Sequence, residues 1–132
     1  MAGIIRASFN SAEIIRTDQT GRVAQELLQA LVQISSTARR VYADCTRAYV
    51  GVLTKAIGSW ELSHGLDARD AAETTWTGIL GCHLLSAALG DEPYDRLARN
   101  WGVLLTALAP KSELPALNDS LTDMPGRYQV AV

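Results

Sequence analysis

Two cysteines and two histidines are the side chains of this sequence best suited to chemistry. Cys82 and His83 are adjacent, whereas Cys45 and His64 stand apart from them. Adjacent residues of a helix point about 100° apart, so Cys82 and His83 are poorly placed to share a metal ion. No Cys-x-x-Cys or His-Glu-x-x-His spacing occurs. We therefore predict no metal and no cofactor, with both cysteines as buried free thiols.

A nucleophilic catalytic site would need a serine or cysteine, a histidine and an acid close together in space. His64 with Asp67 or Asp70 offers a base and an acid, but no Gly-x-Ser-x-Gly motif supplies a nucleophile. Most of the acids fall at predicted helix starts, where interaction with the helix dipole explains them. Neither standard glycine-rich phosphate loop is present. We predict that the chain is not an enzyme and has no small-molecule substrate.

Basic side chains follow one predicted helix and are interleaved with Tyr42 and Tyr49. Arginines and tyrosines in this arrangement can follow a phosphate backbone. Asp44 offsets part of the charge, and the net charge of −2 argues against a protein that binds nucleic acid by itself. The alternative function is thus a small nucleic-acid-binding subunit of a ribonucleoprotein complex, with the candidate contacts Arg39, Arg40, Arg47 and Lys55.

These residues need a scaffold, and the longest helical pattern in the chain supplies it. Apolar residues recur at spacings of three and four from Arg22 to Ile57, without a proline. The pattern predicts one long N-terminal helix whose apolar seam packs on other helices. The seam is formed by Ala24, Leu27, Leu31, Ile34, Ala38, Val41, Cys45, Ala48 and Val52.

Two shorter helices are predicted after the long one, over 68–89 and 92–109. Asp67 and Gly90 are suited to begin and end the first of them, and Pro110 ends the second. Asp91 is expected to cap the second helix. From Trp76 onward the 68–89 helix is apolar nearly all round, which predicts that a partner chain covers part of it.

The two ends of the chain carry weaker patterns. Residues 1–21 are expected to form an irregular arm with a short strand near Ile4–Phe9, and 110–132 an irregular tail with a strand near its end. The predicted fold is therefore all-α. It is a three- to four-helix bundle over 22–109, organised on the long helix, with an arm at 1–21 and a tail at 110–132.

Charge and composition favour assembly over chemistry. Residues 1–60 hold seven basic and four acidic side chains, whereas 61–132 hold five basic and ten acidic ones. Such halves can attract each other within one molecule or head to tail between copies. We predict a non-catalytic structural or accessory subunit of a homo- or hetero-oligomeric complex. We expect five aromatic side chains to anchor its contacts: Tyr42, Tyr49, Trp60, Trp76 and Trp101. At least two of them are expected to be ordinary core residues.

The expected location is the cytoplasm, or a particle assembled there. The start of the chain lacks the long apolar run of a signal peptide, and two cysteines form no disulfide framework. The longest apolar run, Ile79–Leu89, is too short to span a bilayer. No motif in the sequence carries a resemblance to a known family.

Overall fold

The all-α prediction is confirmed by a computed structural model of the chain. The structure describes residues 1–60, 62 and 65–129, although the side chains at 21, 24, 25, 28 and 129 lie outside that description. Within these residues it contains six helices and no strand. The helices are α1 (Ala2–Thr17), α2 (Gln19–Val32), α3 (Ser36–Gly58), α4 (Ala68–Leu89), α5 (Tyr94–Leu108) and α6 (Leu114–Gln129).

The two shorter predicted helices form where local sequence signals place them. The Asp67 carboxylate accepts hydrogen bonds from two backbone N–H groups in the first turn of α4. Gly90 ends α4 with φ of 69°, a left-handed conformation that favours glycine. Ala109 is extended, as expected of the residue before a proline, and α5 ends there. Asp91 does not cap α5, because its carboxylate pairs with Arg96 instead.

The prediction of a single long helix is wrong, because the chain turns between α2 and α3. Ser35 adopts an extended conformation, and its hydroxyl accepts a hydrogen bond from the backbone N–H of Ala38 at 3.2 Å. This capping bond satisfies one of the free N–H groups at the start of α3, so Ser35 begins a new helix. Asp18 caps α2 in the same manner through Thr20.

The irregular arm and tail are also wrong, since both ends of the described chain are helical. Residues expected as a strand near Ile4–Phe9 lie inside α1, and the expected tail contains α6. Pro115 falls in the first turn of α6, where proline costs no hydrogen bond. The two predicted strands are therefore absent from the described residues, which end at Gln129, and 130–132 lie outside them.

The buried side chains form two clusters joined along α4 and α5. The larger cluster brings α1, α4, α5 and α6 together around Phe9, Tyr94 and Trp101, which are completely buried. The smaller cluster packs α3 on α4 and α5 through Leu53, Ile57, Ala71, Ala72 and Leu108. The two terminal helices thus supply much of the core that the central helices need.

The apolar seam of the predicted long helix does not pack within this chain. Ala38 is buried, but seven of the nine seam residues are exposed, and the side chain of Ala24 lies outside the description. The exposed members are Leu27, Leu31, Ile34, Val41, Cys45, Ala48 and Val52. Within the described ranges, none of the helices combines the length and apolar character that a membrane crossing requires.

Two glycines of α4 provide a test of how closely this helix approaches α5. A Cβ atom at Gly78 would lie 2.6 Å from Oδ1 of Asn100, whereas one at Gly81 would meet no described atom within 4 Å beyond its own helix. Alanine is favoured over glycine in a helix by about 1 kcal/mol. We expect Gly81→Ala to raise the free energy of unfolding by about this amount. Gly78→Ala should raise it by less, or lower it, because the Asn100 side chain must shift to make room for the added Cβ atom. Urea denaturation followed by circular dichroism measures both changes, and equal gains would contradict the close approach.

Candidate functional site

The predicted basic face lies on α3 and is exposed to solvent. Arg39, Arg40, Arg47 and Lys55 are all exposed. Arg40 and Arg47, seven residues apart, fall on one side of the helix. Arg47 already pairs with Asp44 at 2.9 Å, so part of its charge is neutralised. Nucleic-acid binding by this face remains a prediction.

The five predicted aromatic anchors lie in different environments. Trp101 is completely buried, and its Nε1–H donates to the Ser8 hydroxyl at 2.8 Å. It is a core residue in this fold and does not reach the surface. Trp60 is half-buried beside the smaller core cluster. Tyr42, Tyr49 and Trp76 instead line a groove that the sequence does not reveal.

The groove lies between α1, α3 and α4 and has a volume of about 540 Å³. Its walls are mostly apolar. Tyr49, which is 55% exposed, stacks on Trp76 with ring centroids 4.6 Å apart and ring planes 13° apart. This pair gives the groove a flat aromatic wall. Other wall residues include Ile4, Ile15, Cys45, Val52, Ile79 and Leu80.

Few polar groups reach the groove. His83 lines it and, within the described part of the chain, its imidazole has no hydrogen-bond partner. Burial lowers the pKa of His83, which favours the neutral ring. The Nε1–H of Trp76 is buried and also has no acceptor among the described residues. The other polar side chains of the groove walls bear hydroxyls, and those of Ser8 and Ser11 already donate to backbone carbonyls of α1. The remaining ones belong to Tyr42, Thr46 and Tyr49.

A second, more polar cavity of about 240 Å³ meets the groove at Ile15 and His83, which line both. Its walls come from α1, α2, α4 and the turn before α5. The charged side chains in these walls are balanced, with two of each sign: Arg16, Arg22, Glu26 and Asp91. Ile15 and His83 thus lie between an apolar groove and a more polar cavity.

A hydrogen-bonded cluster beside this cavity ties α1 to α5. The Tyr94 hydroxyl donates to the Glu13 carboxylate and accepts from Nε of Arg16 at 3.0 Å. The bond from Tyr94 and the nearby Arg16 lower the pKa of Glu13. Burial, with the bond to Glu13, raises the pKa of Tyr94 to about 12. The cluster has the geometry of a structural clamp between two helices.

The outward face of α2 is apolar. Val23, Leu27 and Leu31 follow each other at intervals of four residues and are 44%, 56% and 41% exposed. Ile34, 80% exposed, continues the line past the end of the helix. Arg22, Glu26 and Gln29 of the same helix line the polar cavity. We call Val23, Leu27, Leu31 and Ile34 the α2 stripe.

The two cysteines lie in different environments, one buried and one exposed. Cys82 is buried, and burial raises the pKa of its thiol, so it is a poor nucleophile. Cys45 is exposed, contrary to the prediction, because it faces the groove. No group of three or more His, Cys, Asp or Glu side chains comes together among the described residues. His64, and Glu61 at Glu-x-x-His spacing before it, lie outside them.

The groove is a feature of three-dimensional packing that sequence spacing does not show, whereas Leu27, Leu31 and Ile34 of the α2 stripe belong to the apolar seam predicted from the sequence. The residues of the groove come from three helices, one of which the sequence analysis does not predict. The sequence matches no protein-family model, and neither a curated protein nor a solved structure resembles it significantly.

Proposed function

We propose that this protein is a non-catalytic subunit of an oligomeric assembly, in which the α2 stripe is covered by a second copy of the chain. The observation that carries the proposal is the exposed apolar stripe of α2, in which Leu27 and Leu31 face solvent. A surface helix normally turns its apolar side chains toward the core. Contiguous exposed apolar surface is typical of a protein interaction site.

The end of α4 adds to this exposed apolar surface. Leu84, Leu85 and Leu89 are 45%, 54% and 64% exposed. Each would gain about 25 cal/mol for every Å² removed from water, so covering them favours association. The unequal charge of the two halves of the chain would steer copies toward each other, since the first half is net basic and the second net acidic.

Size-exclusion chromatography with light scattering tests the proposal on the full chain. We expect the parent protein to elute as a multimer, and Leu27→Asp with Leu31→Asp to weaken association at least about tenfold, equivalent to about 1.4 kcal/mol. Two charges on the stripe would have to be buried on association, which is costly. Circular dichroism should show that the variant keeps its helices, because both positions are exposed in the single chain.

The matched control places two carboxylates at the same spacing on another exposed helix face. Asn118→Asp with Thr122→Asp, on α6, should leave the oligomer unchanged. A parent protein that is monomeric at the highest reachable concentration would overturn the proposal.

Absorbance at 260 and 280 nm is recorded in the same run. A raised 260 nm signal that disappears in high salt and in Arg40→Glu with Arg47→Glu would favour the nucleic-acid alternative instead.

A further inference from the structure

The groove between α1, α3 and α4 is separate from the α2 stripe, and its shape points to a small ligand. Binding sites for small molecules are concave, mostly apolar spaces of about 300–1,000 Å³ with a few placed polar groups. The volume of about 540 Å³ lies within this range. The aromatic wall of Tyr49 and Trp76 and the aliphatic wall residues supply apolar contact area.

The polar end of the ligand would lie at His83. A neutral imidazole offers one N–H donor and one acceptor nitrogen, and this ring has no partner within the described part of the chain. The adjoining cavity has two basic and two acidic side chains. Arg16 already bonds Glu13, and Asp91 already pairs with Arg96. The other two, Arg22 and Glu26, have opposite signs and are exposed to solvent, so the cavity has no net charge that would select a charged headgroup.

We propose that the groove binds an uncharged, elongated amphipathic molecule of the long-chain alcohol class, with its chain along Tyr49 and Trp76 and its hydroxyl at His83. The hydroxyl matches the donor and acceptor of the ring. A carboxylate or an ammonium group would have to give up solvation without a net counter-charge in the cavity. This binding is independent of the assembly proposed above.

Alkylation of Cys45 by iodoacetamide, followed by mass spectrometry, reports occupancy of the groove. Cys45 lines the groove and is exposed, whereas Cys82 is buried and serves as an internal reference. We expect saturating n-dodecanol to slow modification of Cys45 about tenfold or more, and dodecanoate and dodecylamine to require concentrations about tenfold higher. Equal protection by all three compounds would mean partition into apolar surface and would overturn the proposal, as would no protection.

Two variants test whether the ligand lies in the groove and whether its hydroxyl lies at His83. Val52→Trp fills the groove and should abolish protection, whereas Ala48→Trp, exposed on the same helix and outside the groove walls, should preserve it. His83→Phe should weaken the effect of dodecanol about three- to tenfold through loss of one hydrogen bond. An unchanged response in either Val52→Trp or His83→Phe contradicts the assignment.

A second copy of the chain is the competing occupant of the groove. Protection of Cys45 that rises with protein concentration without added alcohol would assign the groove to that copy and overturn the ligand proposal. Repeating the experiment with Leu27→Asp and Leu31→Asp separates the two proposals. Dodecanol should protect Cys45 equally in this variant, whether or not the parent protein assembles through the α2 stripe.

Discussion

Trp101→Ala is expected to lower the free energy of unfolding by about 3–5 kcal/mol, the range for truncating a buried aromatic side chain. Trp101 is completely buried in the larger core cluster, and its Nε1–H donates to the Ser8 hydroxyl at 2.8 Å. That hydroxyl in turn donates to the Ile5 carbonyl at 2.7 Å. Truncation leaves a cavity between α1 and α5 and removes a buried hydrogen bond, so both losses act on one helix contact.

The same substitution, tryptophan to phenylalanine, at two positions separates the contribution of the hydrogen bond to stability from that of packing. Trp101→Phe keeps most of the ring but removes the bonded N–H, and should cost about 1–2 kcal/mol. Trp76→Phe removes an N–H that is buried without an acceptor among the described residues. Because this substitution removes an unsatisfied donor, we expect the free energy of unfolding to change by less than about 1 kcal/mol. Urea denaturation measures all three variants, and equal costs at positions 76 and 101 would contradict the role of the Ser8 bond.

Sequence patterns predict α4 and α5 well because their ends depend on local chemistry. Asp67, Gly90 and Pro110 each act within a few residues of themselves, through a side-chain cap, a left-handed glycine and a restricted residue before proline. These effects need no knowledge of the rest of the fold. The same local logic explains why α1 is missed, since its alternating start resembles a strand until Phe9 is seen to pack on Tyr94.

The break between α2 and α3 could not be predicted, because the apolar spacing continues through the turn. Ile34 and Ala38 keep the four-residue interval on either side of Ser35, and neither glycine nor proline interrupts them. A serine in mid-helix and a serine cap are chemically alike, and tertiary contacts decide between them. The groove is hidden for a similar reason, because its walls come from three separate helices, α1, α3 and α4.

The Glu13–Arg16–Tyr94 cluster should make stability depend on pH at both ends of the scale. The pKa of Tyr94 is raised from 10 to about 12 in the folded protein. A raised pKa contributes stability below the ordinary value and loses it as pH rises toward the folded value. As pH rises, the unfolded chain releases the Tyr94 proton before the folded protein does. The free energy of unfolding should therefore fall by about 2–3 kcal/mol between about pH 10 and 12. The pKa of Glu13 is lowered, so its contribution is lost as pH falls through the acidic range.

Tyr94→Phe is the variant that tests this cluster. It keeps the stacking of the ring with Phe9 and Tyr128 but removes the hydroxyl that bonds Glu13 and Arg16. Near neutral pH we expect a cost of about 1.5–3 kcal/mol, because the lost bond joins a charged group. The difference between parent and variant should shrink toward pH 12 and again in acid. Tyr42→Phe, which removes the same atom from a half-buried groove residue, controls for deletion of a hydroxyl.

The measurement is the free energy of unfolding from urea titrations repeated across the pH range. A difference between parent and Tyr94→Phe that stays constant from neutral pH to pH 12 would contradict the raised pKa. The physical reason for the expected convergence is that ionised Tyr94 would place two negative charges against each other in the interface between α1 and α5. Arg16 can neutralise only one of them, because it already bonds Glu13 at 3.3 Å. Loss of the Tyr94 proton therefore opposes the packing of α1, the helix that closes both the core and the groove.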